Sequence, residues 1–123
     1  MAVILALASP ALAVNYTLLS GVEAAGAGQA YETRNAEFTV EVTFANSGGS
    51  VTALVVDLEG SIDGVVFYQL ASHTLSAGEL SANKAMFHVV NKRVRYVRGN
   101  ITTLTETGTT SVTVKYLENP DGM

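Results

Sequence analysis

The residues that could support acid–base chemistry are three carboxylates close together in the sequence and two separate histidines. Asp57, Glu59 and Asp63 occur in one short segment, and the first two fall on one face of a predicted strand. Two carboxylates held side by side are the arrangement that glycosidases use. Acids on the solvent face of a strand are far more common, and neither His73 nor His88 has a nucleophile motif to serve. We therefore expect a protein that is not an enzyme, with no catalytic residues, no metal site and no cofactor.

A second candidate cluster is basic. Four of the seven cations, Lys92, Arg93, Arg95 and Arg98, occur within one short segment. In a regular strand, Arg93 and Arg95 would share one face and Arg98 would lie on the opposite one. Guanidinium groups pair with carboxylates through two parallel hydrogen bonds, so the cluster is suited to docking on an acidic partner. The alternative is a solvated strand whose cations are balanced across the sheet by the two acids of the neighbouring strand.

Composition excludes several classes of function. The chain has 123 residues, 48% of them apolar and 15% charged, which fits one folded domain rather than a disordered chain. Its net charge of -4 opposes bulk attraction to nucleic acid or to an anionic membrane, so we expect neither as a partner. Because there are no cysteines, disulfides, thiolate metal sites and cysteine nucleophiles are excluded together.

The elements that must position these residues are β-strands. The chain holds 16 valines and 13 threonines, and β-branched side chains pack well on a pleated surface. In Phe38–Phe44, apolar residues alternate strictly with Thr and Glu, so one face is dry and the other wet. We expect no helix beyond one short turn within Ala71–Lys84. The predicted strands are Phe38–Phe44, Val51–Glu59, Val65–Leu70, Ala85–Val90, Arg93–Ile101 and Ser111–Leu117, the last with Val112, Val114 and Tyr116 facing inward.

Turn signals separate the predicted strands. Asn46–Ser50 ends one strand, Asp63-Gly64 predicts a hairpin, and Thr107–Thr109 predicts a final hairpin. The glycine-rich segment Val22–Ala36 is interpreted as a connection between strands, because neither a helix nor a Lys-Ser/Thr pair follows it. Short strands with a turn about every 8 to 12 residues predict an all-β fold, specifically a β-sandwich that is jelly-roll-like or Ig-like.

The amino-terminal segment MAVILALASPALAV is the most apolar stretch of the chain. An apolar run followed by Ala11-Leu12-Ala13 resembles a signal peptide with its cleavage site, but no Lys or Arg precedes it. We favour an extended arm or first strand that packs on its own domain or on a neighbouring subunit. The expected organisation is an arm or first strand at 1–15, a sandwich domain at 16–117 and a polar tail at 118–123.

Two segments resemble parts of known β-sandwich families. Asp57–Leu70 resembles an x-G-S-x-D-G-x-x-ar-x-x-L hairpin, where ar is an aromatic residue, and Arg95–Arg98 resembles a later R-Y-V-R strand. Both elements occur in discoidin-like, galactose-binding-type domains. They also occur in small structural proteins of tailed bacteriophages, in which a similar strand leads through a Gly/Thr turn into a closing T-V-T-V-type strand. Here those parts are Arg95–Ile101, Thr102–Thr110 and Ser111–Leu117, and Tyr16–Gly21 is similar to the start of such phage proteins.

The phage resemblance implies a non-enzymatic protein of the virion. It implies a capsid decoration, or cement, protein that stabilises the head by binding the major capsid protein or other virion proteins. A homo-oligomer is expected, and a trimer is favoured because it suits a threefold site on a capsid lattice. In this interpretation the arm adds an extended segment to a neighbour, and arginines form charge-assisted pairs at the rim. The predicted partner-binding residues are Ala2, Val3, Ile4, Leu5, Leu7, Arg93, Arg95 and Arg98.

Two alternatives remain open. A tail or neck component of the virion fits the same resemblance. A carbohydrate-binding module would use the loops near Asp63-Gly64 and His73, and would need exposed aromatic rings for stacking. Phe67 and Tyr68 are the one adjacent aromatic pair, and one of them must face the core. Discoidin-like domains usually carry aromatic-tipped loops and often a disulfide, whereas this chain has no Trp and no Cys.

Overall fold

The computed structural model describes residues 14–34 and 36–119, which form nine β-strands and one short helix. The predicted arm residues Ala2, Val3, Ile4, Leu5 and Leu7 lie outside the described residues. No helix within the described ranges is long and apolar enough to cross a membrane. The elements are β1 (Val14–Val22), β2 (Gly26–Ala27), β3 (Tyr31–Glu32), β4 (Glu37–Ser47), β5 (Val51–Ser61), β6 (Tyr68–Thr74), α1 (Ala77–Ala82), β7 (Lys84–Val89), β8 (Tyr96–Glu106) and β9 (Thr109–Asn119).

The strands form two antiparallel sheets packed face to face. The first sheet has the order β1-β9-β4-β7, and the second has the order β2-β8-β5-β6, with β3 also paired to β8. If β2 and β3 are taken as one interrupted strand, this is the eight-stranded order of a jelly roll. The predicted all-β sandwich is confirmed, and of the two expected variants the strand order matches the jelly roll.

The core lies between the sheets and follows from the alternation of apolar residues along each strand. In β4 every second residue from Phe38 to Phe44 is buried. In β9 the predicted inward-facing residues Val112, Val114 and Tyr116 are all buried, which confirms the alternation predicted for this strand. From the second sheet, β5 contributes Leu54, Val56 and Leu58 to the same core.

The segment Thr107–Thr109 is an arch between the sheets and not a hairpin. The prediction was wrong because β8 and β9 belong to different sheets, and a glycine turn between two apolar runs looks the same in both cases. A second arch joins β4 to β5, and the two arches stack. The Asn46 side-chain amide donates to the Thr107 carbonyl at 2.9 Å, and the Thr107 N–H donates to the Ser50 carbonyl at 2.9 Å. These bonds close the end of the sandwich opposite to the start of β1.

The connection between β5 and β6 is a hairpin within one sheet, as Asp63-Gly64 predicted, but it is longer than expected. The return strand begins at Tyr68 and not at Val65. The Asp63 carboxylate accepts hydrogen bonds from the N–H groups of Val65 and Val66 at 2.9 and 3.0 Å. Those two donors are therefore unavailable to a strand ladder, and the predicted strand Val65–Leu70 was wrong at its start.

The helix α1 lies where one short helical turn was expected and carries the chain from β6 to β7. Its first turn is fixed by a capping box, in which the Ser76 hydroxyl accepts from the Glu79 N–H at 3.2 Å and the Glu79 carboxylate accepts from the Ser76 N–H at 2.9 Å. Asn83 ends the helix in the left-handed conformation, with a φ of 62°. The segment Ala71–Thr74, expected to be irregular, belongs to β6.

Two further boundaries differ from the prediction. β8 starts at Tyr96 rather than at Arg93, because the preceding chain turns at Asn91, with a φ of 58°, and bonds across to the β3–β4 connection. β9 continues to Asn119, past the expected end at Leu117. Glu118, which was assigned to a polar tail, is therefore a strand residue and is buried.

Candidate partner-binding surface

Both sheets end together at the end of the sandwich where β1 begins. In the first sheet, Glu118 pairs with Val14 on one side and with Phe38 on the other. In the second sheet, Ser61, the last residue of β5, pairs with Tyr96, the first residue of β8. The chain therefore presents the start of β1 and the loops after β3, β5 and β7 on one surface.

Backbone hydrogen bonds hold these loops together. The Arg95 N–H donates to the Ser61 carbonyl at 3.0 Å, and the Arg95 carbonyl accepts from the Thr33 N–H at 2.8 Å. The Arg34 N–H then donates to the Glu118 carboxylate of the other sheet at 2.6 Å. The loops of this surface are thus joined across both sheets, and their backbones are held at fixed positions relative to one another.

All four arginines of the chain lie on or next to this surface, which we call the arginine end (residues 31–34, 61–68 and 90–98). Arg34 and Arg93 are exposed, and the Arg95 side chain is 64% exposed with the Glu32 carboxylate 3.6 Å away. The expectation that Arg93 and Arg95 share a strand face was wrong, because both precede β8. The loops that carry them are nevertheless joined by backbone hydrogen bonds to the segments that carry Arg34 and Arg98.

Arg98 differs from the other three arginines because it is only partly exposed. Its Nε donates to Glu59 Oε1 at 2.7 Å, and its Cζ lies 4.0 Å from the centre of the Phe67 ring. Asn100 donates to the second Glu59 oxygen at 2.9 Å. This is the balance between cations of β8 and acids of β5 that the sequence left open as an alternative, and it applies to Arg98. The contact fixes the base of the β5–β6 loop.

That loop, Ile62–Tyr68, exposes large apolar side chains to solvent, and we call it the apolar loop. The exposed fraction is 81% for Ile62, 79% for Val65, 50% for Val66 and 69% for Tyr68. Side chains of this kind are normally buried, and exposed clusters of them are a common feature of interaction surfaces. The predicted return strand Val65–Leu70 included three of these four residues, so the loop was missed. The signal was present, since a whole apolar run follows directly after Asp63-Gly64.

The backbone of the apolar loop is fixed by hydrogen bonds of the Asp63 and Ser61 side chains. The Asp63 carboxylate accepts from the N–H groups of Val65 and Val66 and from the Ser61 hydroxyl, and the Gly64 N–H donates to the Ser61 oxygen at 2.9 Å. The two backbone donors and the hydroxyl hold the pKa of Asp63 below its usual value. Exposed apolar side chains are therefore carried on an ordered backbone, which lowers the entropy lost on binding.

A buried carboxylate supports the arginine end from the first sheet. Glu118 accepts from the Arg34 N–H and from the Tyr116 hydroxyl, the latter at 3.4 Å. Burial, together with the Glu118 charge, raises the pKa of Tyr116 far above its usual value, so the phenol stays protonated and donates. The Tyr116 ring stacks on Tyr16, and Tyr16 stacks on Tyr31 of β3, at centroid distances of 5.5 and 5.1 Å. This stack joins the two sheets along one side.

The acids considered for acid–base chemistry lie in the second sheet. Glu59 is bound to Arg98, as described above. Asp57 is 6% exposed, and one of its oxygens has no hydrogen-bond partner among the described residues. The expectation of an exposed acid was wrong for Asp57, because β5 is a central strand with β6 and β8 on either side. Within residues 14–34 and 36–119, no three His, Asp or Glu side chains converge as metal ligands.

The two histidines lie on separate strands, His73 on β6 and His88 near the end of β7. His73 Nε2 is 3.0 Å from the Glu79 carboxylate, and its ring stacks on Phe87 at 5.2 Å. It pairs with β5 about five residues before that strand ends, roughly 16 Å from the Asp63 loop at about 3.3 Å per residue. His88 lies on β7, where its Nδ1 is 3.0 Å from the Thr39 hydroxyl. The structure does not bring Asp63 and His73 together, as a carbohydrate site at both would require.

Comparison with known proteins gives a match at the level of the fold. No protein-family model and no curated protein sequence matches the chain. The structure is similar to that of the SPBc2 prophage-derived protein YomS, with a TM-score of 0.57 and 12% identity over 87% of this chain and 94% of that one. It is also similar to the PBSX exported protein XepA, with a TM-score of 0.52 and 18% identity over 87% of this chain. The chain spans 38% of the length of XepA. At these identities the likeness shows a shared β-sandwich fold.

Proposed function

We propose that this chain is a bacteriophage virion structural protein, specifically a capsid decoration (cement) protein that binds the major capsid protein and stabilises the head. It acts by binding and not by catalysis, and it is located in the virion. Two findings support the proposal: the motifs shared with small phage structural proteins, and the fold shared with YomS, which is described as prophage-derived.

The observation that carries the proposal is the composition of the arginine end. An ordered apolar loop, exposed guanidinium groups and the start of β1 lie on one surface of the sandwich. Protein interfaces are enriched in arginine and aromatic residues, and their binding energy comes mainly from a few buried apolar anchors surrounded by polar contacts. The apolar loop supplies such anchors, and Arg93 and Arg95 supply cations at their rim.

In the proposed mechanism each part of this surface has its own task. The apolar loop enters a hollow on a neighbouring subunit of the assembly, and Arg93 and Arg95 pair with carboxylates of the major capsid protein. Arg98 positions the loop through Glu59 and Phe67. The apolar arm, residues 1–13, leads into β1 at the same end and adds an extended segment to a neighbouring subunit. The assembly is a homo-oligomer, with a trimer favoured at a threefold site.

The test is binding to purified phage heads that lack the protein. Arg93→Ala/Arg95→Ala and a chain lacking residues 1–13 should each bind heads more weakly than the full chain while keeping its cooperative unfolding. Lys115→Ala is the matched control, because this exposed cation lies in β9 away from the arginine end. Full binding by the truncated chain and by the arginine variant would overturn the proposal. Binding to purified tails in place of heads would favour the tail or neck alternative.

A further inference from the structure

A groove on the side of the sandwich is a further apolar surface among the described residues. It has a volume of about 590 Å³ and lies between α1 and the outer face of β7. Met86, on its floor, is 54% exposed. We call it the helix groove, and its lining includes Gly78, Ala82, Met86, Glu41, Glu79 and Lys84.

The helix groove and the apolar loop are complementary in chemistry. The loop carries Ile62 and Val65 at its tip, and arginines stand beside it. The groove has an apolar lining that also includes the charged residues Glu41, Glu79 and Lys84. The net charge of the lining is therefore -1. The Glu79 carboxylate remains ionised because the Ser76 N–H and His73 lower its pKa. The apolar loop, with cations beside it, is therefore complementary to an apolar groove whose lining has an excess of acid.

The two surfaces cannot meet within one copy. The chain enters α1 from Thr74, which pairs with Val55, whereas the apolar loop follows Ser61. At about 3.3 Å per residue these positions are roughly 20 Å apart along β5, and the loop backbone is fixed by the Asp63 contacts. A contact between them therefore requires two molecules.

We propose that the apolar loop of one copy of this chain docks into the helix groove of a second copy. Because the contact joins two different surfaces, its repetition about a rotation axis produces a closed ring. The contact supplies the subunit interface of the homo-oligomer. One point rests on the proposed function: that the ring is a trimer, which suits a threefold capsid site.

Self-association of the full chain, measured by sedimentation equilibrium, tests the contact. The loop variant is Ile62→Ser/Val65→Ser, and Ala24→Ser/Ala25→Ser is its control, because both alanines are exposed and lie outside the apolar loop, the arginine end and the helix groove. The groove variant is Gly78→Gln, since a Cβ at that position meets no atom closer than the Ser76 hydroxyl at 4.0 Å and extends into open space. Both variants should weaken association by about a hundredfold or more, and the control should leave it unchanged.

Mixing the two variants makes the test specific. The loop variant keeps an intact groove and the groove variant keeps an intact loop, so a mixture should form a two-chain complex that neither forms alone. A full chain that stays monomeric, or variants that associate as tightly as the full chain, would overturn the contact. Head binding is measured separately: if it persists in that case, the proposed function stands. If the contact is found but heads, tails and necks are not bound, the proposed function fails alone.

Discussion

Replacement of Arg98 by methionine should lower the free energy of unfolding by about 2–3 kcal/mol. The charge-assisted hydrogen bond to Glu59, at 2.7 Å, is of a kind that contributes about 1.5–3 kcal/mol. We take the lower half of that range because the Arg98 side chain is 30% exposed. The guanidinium over the Phe67 ring, at 4.0 Å, adds about 0.5–1 kcal/mol. Methionine retains much of the aliphatic packing, so the loss reports the polar contacts.

The assay is urea and thermal unfolding, with Arg95→Met as the matched control. For a domain of this size the Arg98→Met loss corresponds to a fall in Tm of about 6–12 °C. The Arg95 side chain is 64% exposed and lies 3.6 Å from Glu32, so its replacement should change the free energy of unfolding by no more than about 0.5 kcal/mol. Equal losses in the two variants would contradict this prediction, because they would mean that geometry and burial do not distinguish the two ion pairs.

A double-mutant cycle separates the two contributions of Arg98. Glu59→Gln and Arg98→Met are measured singly and together, and the coupling free energy should be about 1–2 kcal/mol. A coupling near zero would assign the loss to the contact with Phe67 and would remove Glu59 from the support of the apolar loop.

Three further predictions concern stability. Gly78→Ala should raise the free energy of unfolding by about 0.5–1 kcal/mol, because an added Cβ meets open space on α1; an unchanged Tm would contradict this. Hydrogen bonds lower the pKa of folded Asp63, so its contribution is present above the usual pKa and lost as pH falls through the lowered one. Acid unfolding should therefore be steeper for the natural chain than for Asp63→Asn, and parallel curves would argue against that linkage. Leu54→Ala, at a fully buried site, should cost about 2–5 kcal/mol in urea unfolding, and a smaller loss would mean that the core collapses around it.

The parts of the fold that the sequence predicted are those set by neighbouring residues. Alternation along β4 and β9 places every second side chain between the sheets, and the structure has the predicted faces. The arch at Thr107–Thr109 was predicted as a hairpin because the sheet that a strand joins depends on distant partners, here β1 and β4 for β9. Burial of Asp57 and Glu118 was missed for the same reason, since each is covered by strands far away in sequence.

The candidate surface was predicted in part. The arginines stood out because they cluster in sequence, whereas the apolar loop was hidden in a run that reads as a strand. Its conformation depends on one carboxylate: Asp63 accepts the Val65 and Val66 N–H groups and prevents them from joining the ladder. An Asp-Gly pair followed by several apolar residues is therefore consistent with either a strand or an exposed loop, and the position of the ladder decides between them.

The pairing of β1 with β9 has a consequence for how the protein is made. Val14 lies opposite Glu118, so the first strand of the jelly roll acquires its partner only when the last strand has been synthesised. β4 likewise pairs with β9 along its whole length. Pairings between residues so distant in sequence fold slowly, because a long loop must close before they form. A nascent chain still attached to the ribosome should therefore hold the first sheet incomplete, with β1 and β4 exposed to chaperones until β9 has left the exit tunnel.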